Sequence, residues 1–232
     1  MKISFLGTGG AFDVALGNSA ALVDCAGTRF LVDCGHSVFP RLVERGLVED
    51  FDVVLITHLH DDHVGSLSTL VYYATIVLQR PQLRIVVPSA AFEADLRAFL
   101  AFSQYDLDKR VRFEPIADFP QVRAIDTYGS HVPGMATWGY AFEEGAHRMA
   151  YSGDTGQPAL MFDALDAWGW QGALVFHEVI FIPGIASHSY YKDVEAYTDR
   201  YAVYGYHCDV AYAPADLQLP LVAQHPDWEL GA

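Results

Sequence analysis

The chain has little cysteine, hardly any lysine and no long apolar run. Cys25, Cys34 and Cys208 are an odd number at wide spacing. They offer neither a disulfide framework nor a CxxC metal knuckle, and read as small buried hydrophobes. Only Cys208 stands out, because it adjoins His207. Lysine occurs at Lys2, Lys109 and Lys192 alone. With 29 acidic against 14 basic side chains, the formal net charge is −15. No basic run interrupts that field, so a long polyphosphate is repelled and large nucleic acids are disfavoured as partners. A small phosphate ester is not excluded, because bound divalent cations would dominate locally. No segment approaches the ~20 apolar residues of a membrane span, and Met1–Gly7 is too short for a signal peptide. The expectation is a soluble, reduced, cytoplasmic protein with no membrane partner. Linkers, low-complexity tracts and short repeats are also missing. A hydrophobic fraction of 52% over 232 residues suits one large-cored domain, taken as 1–232.

What the chain does have is histidine, ten in all. Four potential metal ligands fall within Thr57-His58-Leu59-His60-Asp61-Asp62-His63. The apolar run Phe51–Ile56 before them reads as a buried strand. An extended strand end and tight loop can converge three imidazoles and a carboxylate, where helical spacing would scatter them. Imidazole nitrogen and carboxylate oxygen suit zinc and its neighbours, so the motif indicates a metal-dependent hydrolase. More candidates stand where later strands stop: His131 in Gly129-Ser130-His131, Asp154 in Ser152-Gly153-Asp154-Thr155, and His207 in Tyr206-His207-Cys208. Read alone, the Asp154 segment is a glycine-rich turn with an Asx cap. The first motif, however, needs partners from elsewhere.

The periodicity predicts strands at Lys2–Leu6, Ala20–Cys25, Arg29–Asp33, Asp52–Ile56, Leu83–Val87 and Val111–Pro115. A second set follows at Val122–Tyr128, Thr137–Phe142, His147–Ser152 and Ala173–Phe176. Helices are predicted at Val38–Arg45, Val64–Gln79, Ala90–Phe102, Gln157–Trp168 and Asp193–Tyr204, the last stopped by Gly205. The tail from Pro214 reads as irregular. Two β-rich halves with helices outside predict an α/β fold, a four-layer αββα sandwich with the site at the strand ends.

These residues carry a resemblance. The chain is similar to metallo-β-lactamase-fold hydrolases, and within them to the ribonuclease Z-like phosphodiesterase branch, over roughly residues 1–215. Phe5-Leu6-Gly7-Thr8-Gly9-Gly10, Leu31-Val32-Asp33-Cys34-Gly35, Ser130-His131 and Ser152-Gly153-Asp154-Thr155 resemble its signatures. So do Phe176-His177-Glu178 and His188-Ser189. The resemblance implies that His58, His60 and His131 hold one metal, that Asp62, His63 and His207 hold the other, and that Asp154 bridges them. His225 is the fallback for His207, since Cys208 stands where the branch has serine. It also implies a catalytic set of His188 as general acid, Glu178 as its partner, and Asp62. Two divalent ions, zinc first and manganese second, would turn water into a hydroxide nucleophile near neutral pH.

The branch's tRNA 3′-processing members carry a long arm between the His131 and Asp154 signatures. Here only 23 positions separate them. The arm-less form resembles the anti-Pycsar-type nucleases, which hydrolyse cyclic nucleotides, and this resemblance makes a small phosphodiester the expected substrate. Rival readings are tRNA 3′ processing, a lactonase or thioesterase, and a metalloprotein that binds a nucleotide without cleaving it. Tyr128, Phe181, Tyr190 and Tyr191 are candidates to stack a base. Val179–Ala186 is too apolar for a free loop, and either covers the pocket or meets a second copy; the family resemblance implies a homodimer. Gly7, Thr8 and Gly9 are candidates to turn amides toward the site, and His36 to approach it. Asp33 is expected to support a ligand; Asp61 is expected to face the outer side of the metal loop, with holding a ligating histidine as the alternative. His177 is expected to support the site or be structural, and His147 and His225 to face solvent.

Overall fold

The computed structural model describes residues 1–230. The first half runs β1 (Lys2–Gly7), β2 (Ala20–Cys25), β3 (Thr28–Val32), α1 (Val38–Glu44), β4 (Val53–Leu55), α2 (Asp61–Val64) and α3 (Leu67–Tyr72). It continues through β5 (Leu83–Val87), α4 (Ala90–Ala101), α5 (Leu107–Arg110) and β6 (Val111–Pro115). The second half is β7 (Val122–Asp126), β8 (Trp138–Glu144), β9 (His147–Tyr151), α6 (Pro158–Ala167), β10 (Leu174–Glu178), α7 (Tyr191–Glu195), β11 (Ala202–Tyr206) and β12 (Asp227–Glu229). One sheet has the order β12-β1-β2-β3-β4-β5-β6 and the other β11-β10-β9-β8-β7.

Alternation along the strands creates the layers. Ile3, Phe5, Phe30, Val53 and Leu55 of the first sheet pack against Tyr140, Phe142, Tyr151 and Phe176 of the second. Leu22, Leu31, Val54 and Ile85 point the other way, onto Leu42, Leu67, Leu70 and Leu96 of the outer helices. On the far side, Ala141, Ala150, Val175 and Val203 meet Met161, Phe162 and Val194. Helices, sheet, sheet and helices make the expected four-layer αββα sandwich. β3 to β6 run parallel, as do β9, β10 and β11. Their carboxyl ends therefore open on one rim, where α/β folds gather chemistry.

Three predicted segments differ. The helix expected over Val64–Gln79 begins earlier, at Asp61, breaks at Gly65-Ser66, resumes as α3 and widens into a π-turn at Tyr73–Val77. The helix expected over Asp193–Tyr204 ends as α7 at Glu195. Its second half is β11, whose Leu174↔Ala202 to Glu178↔Tyr206 pairing extends the parallel sheet. Tyr197, Tyr201 and Tyr204 mimic a helical period, but Val203 and Tyr206 are strand residues facing opposite cores. The tail is not irregular throughout. β12 pairs antiparallel with β1, and its Trp228 packs 4.8 Å from Phe176. None of the described helices is long and apolar enough to cross a membrane.

Candidate metal centre

β4 stops at Leu55, and the chain leaves the sheet as a loop bearing His58 and His60. Asp62 and His63 stand instead on the helical turn α2, with His60 at its N-cap position. The sequence motif was expected to converge from an extended strand end. In the structure only its first half does so, and the reach of the His63 imidazole completes it. Gly35 makes the approach possible: a Cβ there would lie 1.9 Å from the Asp62 carbonyl oxygen.

The rim gathers six of the ten histidines. His58, His60 and His131 form one group, and Asp62, His63, Asp154 and His207 a second. His131, Asp154 and His188 form a third. The hub is Asp154 Oδ2. It lies 3.2 Å from His207 Nε2, 3.4 Å from His63 Nε2, 3.9 Å from His188 Nδ1 and 4.0 Å from His131 Nε2. Asp62 Oδ2 is 3.3 Å from His63 Nε2 and 3.7 Å from His207 Nε2. His58 Nε2, His63 Nε2 and Asp154 Oδ1 are all buried without a hydrogen-bond partner. Unsatisfied buried polar atoms are costly. Here all three belong to the converging cluster, so the residues fit a cation-binding site of nitrogen and oxygen donors.

Electrostatics point the same way. Burial depresses His58 and His131, and takes His207 down to about 4, leaving neutral rings able to offer a nitrogen lone pair. Burial opposes ionisation of Asp154, but the His207 and His63 imidazoles outweigh it and hold the carboxyl well below its usual range. Burial likewise disfavours the His63 cation, yet Asp154 and Asp33 raise it well above the ordinary imidazole value. A metal held here would take the place of that proton. Metal uptake is therefore expected to release protons at neutral pH and to weaken as pH falls. Calorimetry in buffers of different ionisation enthalpy reads this; uptake with no proton release would contradict it.

Supporting contacts orient the side chains of the cluster. Asp33, fully buried at φ 65°, accepts from the Thr57 amide at 2.8 Å and lies 2.9 Å from His63 Nδ1. It therefore fixes the Nδ1 side of His63, one of the imidazoles in the cluster. His131 Nδ1 is 2.6 Å from the Ser187 carbonyl, and the His207 amide donates to Thr8 O at 2.8 Å. His207 itself is left-handed, φ 62°. Strain at two non-glycine residues beside one cluster fits a site held in place by its surroundings. Asp33→Asn would turn an amide N–H toward His63 Nδ1 and force the other tautomer. Metal affinity is expected to fall about 10–100-fold, read by competition with a chelator; unchanged affinity would remove Asp33 from ligand orientation.

Glu178 ends β10, completely buried. Its Oε1 accepts from the Ser189 amide at 2.8 Å and the Thr155 amide at 3.2 Å, while Oε2 lies 3.3 Å from His188 Nδ1. Burial pushes the Glu178 carboxyl up to about 7, against the His188 hydrogen bond. Burial also opposes the His188 cation, but Glu178 prevails and lifts it to about 9. These two groups share their protons; the stable arrangement is a cationic His188 against an ionised Glu178.

The remaining candidates divide. Asp61 faces outward, as expected; His36 lies 3.9 Å from it, also well exposed, and does not approach the cluster. His225 packs against Trp228 and is no fallback ligand. His147 is only partly exposed, and lines a groove with Trp228 away from the metal groups. His177 stacks 5.6 Å from Phe162 in the outer core, the structural role expected. The Gly9 amide is committed to Gly17 O, and the first turn reaches the site through the Thr8 carbonyl, which accepts from the His207 amide. Tyr191 is buried, and Tyr128 lies outside the cavity over the cluster. The sequence missed Thr57 and Ser187, which hold Asp33 and His131, and Phe12, which lines the cavity over the cluster. Position beside a motif residue was the available signal for the first two.

Residues 1–218 match the family described as Anti-Pycsar protein Apyc1. The chain belongs to that family. It is 30% identical over 209 residues to "Anti-Pycsar protein Apyc1" of Bacillus phage BSP38, across 79% of this chain and 78% of that one. Ribonuclease Z of Mycobacterium sp. (strain KMS) is 29% identical over 198 residues, 75% of this chain and 67% of the relative. The metallo-beta-lactamase fold protein YhfI from Bacillus subtilis superposes with a TM-score of 0.65 over 89% of this chain and 86% of that chain, at 17% identity. The fold is thus that of the metallo-β-lactamases, and the protein is a metal-dependent hydrolase.

Proposed function

We propose that this hydrolase cleaves a small phosphodiester, a cyclic nucleotide, with two divalent ions, zinc before manganese. The observation that carries the reading is the Glu178–His188 pair beside the Asp154 hub. His188 is 22% exposed at its side chain and lines a cavity of about 410 Å³ with His60, Asp62, His131, Asp154 and His207. A protonated imidazole is thereby offered over the metal cluster. Phosphodiester cleavage expels a ribose alkoxide, which needs such a donor.

In this reading His58, His60 and His131 hold one ion, and Asp62, His63 and His207 the other, with Asp154 shared. Bound metals supply a water acidified into a nucleophile at neutral pH and offset phosphoryl charge. The protein's residues do the rest. Glu178 fixes the Nδ1 side of His188, the backbone amides of Thr155 and Ser189 fix Glu178, and His188 delivers its proton to the leaving oxygen. Water is kept from the ligands' outer sides by the burial of His58, His63 and Asp154.

The ribonuclease Z relative supports a second reading, tRNA 3′ processing. Against it stand the net charge of −15 and the short passage from His131 to Asp154, occupied by the β8–β9 hairpin. The test is hydrolysis of bis-p-nitrophenyl phosphate and of a lactone under matched metal, with a precursor tRNA as third substrate. Faster lactone turnover, or cleavage of the tRNA alone, would overturn the cyclic-nucleotide reading.

Glu178→Gln removes the charge that raises His188. His188 must be protonated to act, so activity persists below its pKa and is lost above it. The alkaline limb of kcat/KM is therefore expected to move to lower pH in this variant. A limb that stays in place would detach Glu178 from the proton donor.

A further inference from the structure

Three loops build the catalytic rim, and each carries a second, apolar group. The loop after β1 brings Gly10 to the metal cavity and exposes Phe12, 97% accessible. The loop after β10 brings His188 and exposes Ile182 and Ile185. The loop after β11 brings His207 and exposes Tyr212, 74% accessible. These apolar groups, with Ile180 and Phe181, line a second cavity of about 590 Å³. It shares Phe12, Ile180 and His207 with the metal cavity, so the two are one continuous depression.

We infer that this apolar cavity is the seat of the substrate's nucleobase. The inference rests on the phosphodiesterase reading above and adds the subsite to it. Its size lies in the range of small-molecule pockets, roughly 300–1,000 Å³. Its walls are aromatic and branched aliphatic, suited to the faces of an uncharged ring. No lysine or arginine lines either cavity, and Asp209 sits in the wall of the apolar one. A second phosphate finds no counter-charge there. The occupant is therefore a planar, uncharged heterocycle joined to a single phosphodiester at the metals. Phe12 and Tyr212 come from different loops and are free to close on its faces. Of the four aromatics the sequence suggested for this task, only Phe181 lines the cavity.

The test compares cyclic 3′,5′-AMP and cyclic 3′,5′-CMP with the base-free ribose 3′,5′-cyclic phosphate, for the wild-type protein, Phe12→Ala and Tyr212→Ala. Both side chains are exposed, so folding is not at stake. The wild type is expected to prefer the nucleotides by about tenfold or more in kcat/KM, the scale of one stacked base. Each substitution should collapse that ratio toward one. A ratio unchanged in both variants overturns the inference while leaving the phosphodiesterase reading intact. Sedimentation of the same samples covers the competing occupant, a second copy of the chain. If the substitutions split a dimer and keep the nucleotide preference, the cavity is an interface and the inference fails. If the wild type hydrolyses none of the three, the phosphodiesterase reading falls and the inference with it.

Discussion

His188→Ala is expected to lower turnover of a cyclic nucleotide by about 10²–10⁴, the usual worth of a positioned general acid. Metal content should not change, because His188 Nδ1 is committed to Glu178 at 3.3 Å. The size of the loss should depend on the leaving group. A ribose alkoxide is a poor leaving group and needs the proton; p-nitrophenolate leaves without one. The loss on bis-p-nitrophenyl phosphate is thus expected to be about tenfold smaller or less still. Matched kinetics on both substrates, with metal analysis of the same preparation, read this. Unchanged turnover removes His188 from the mechanism. Loss of metal would instead make it a ligand, in the group it forms with His131 and Asp154.

Asp154→Asn should have an effect at least as large, by a different route. Its Oδ2 lies within 3.2–4.0 Å of four imidazoles, and its Oδ1 is buried without a partner. An amide keeps the shape but removes the charge and turns half of the hub into a donor. Bound metal is expected to fall from two equivalents to one or none, and turnover by about 10³ or more, since several kcal/mol of transition-state charge stabilisation depend on the metals. Elemental analysis after gel filtration and kcat with saturating metal check this. Two retained equivalents with near-normal turnover would show that Asp154 is not shared between sites.

Much of this site can be read in the sequence because metal chemistry accepts few residue types. His58, His60, Asp62 and His63 announce themselves, and His131, Asp154 and His207 stand at strand ends that the apolar runs predict. The supporting shell is less visible. Ser187 contributes only a carbonyl, and any residue type supplies one. Gly35 matters through a 1.9 Å approach that no local pattern encodes.

The fold was hardest to read where tertiary contacts override local periodicity. Tyr197, Tyr201 and Tyr204 look helical, yet Tyr197 stacks on Phe162 at 3.8 Å and Tyr204 lies in a strand. Gly205 reads as a helix stop, but within β11 it admits the Leu221 side chain, 2.9 Å from where a Cβ would be. β12 follows Pro226 in a tail that reads as irregular, and becomes a strand because β1 offers an open edge. Phe12 and Tyr212, proposed above to flank a base, were invisible in the sequence for the opposite reason. An aromatic in a sequence reads as core, and only the structure leaves these two exposed on the catalytic rim.

In the proposed mechanism, two divalent ions and a proton donor hydrolyse a cyclic phosphodiester. Metal-stripped protein titrated with zinc or manganese, while hydrolysis of cyclic 3′,5′-AMP and cyclic 3′,5′-CMP is followed, tests it most directly. Turnover is expected to be negligible without metal and to climb until two equivalents are bound. Full activity in the stripped protein, or no hydrolysis of either nucleotide at two equivalents of either metal, would contradict the mechanism.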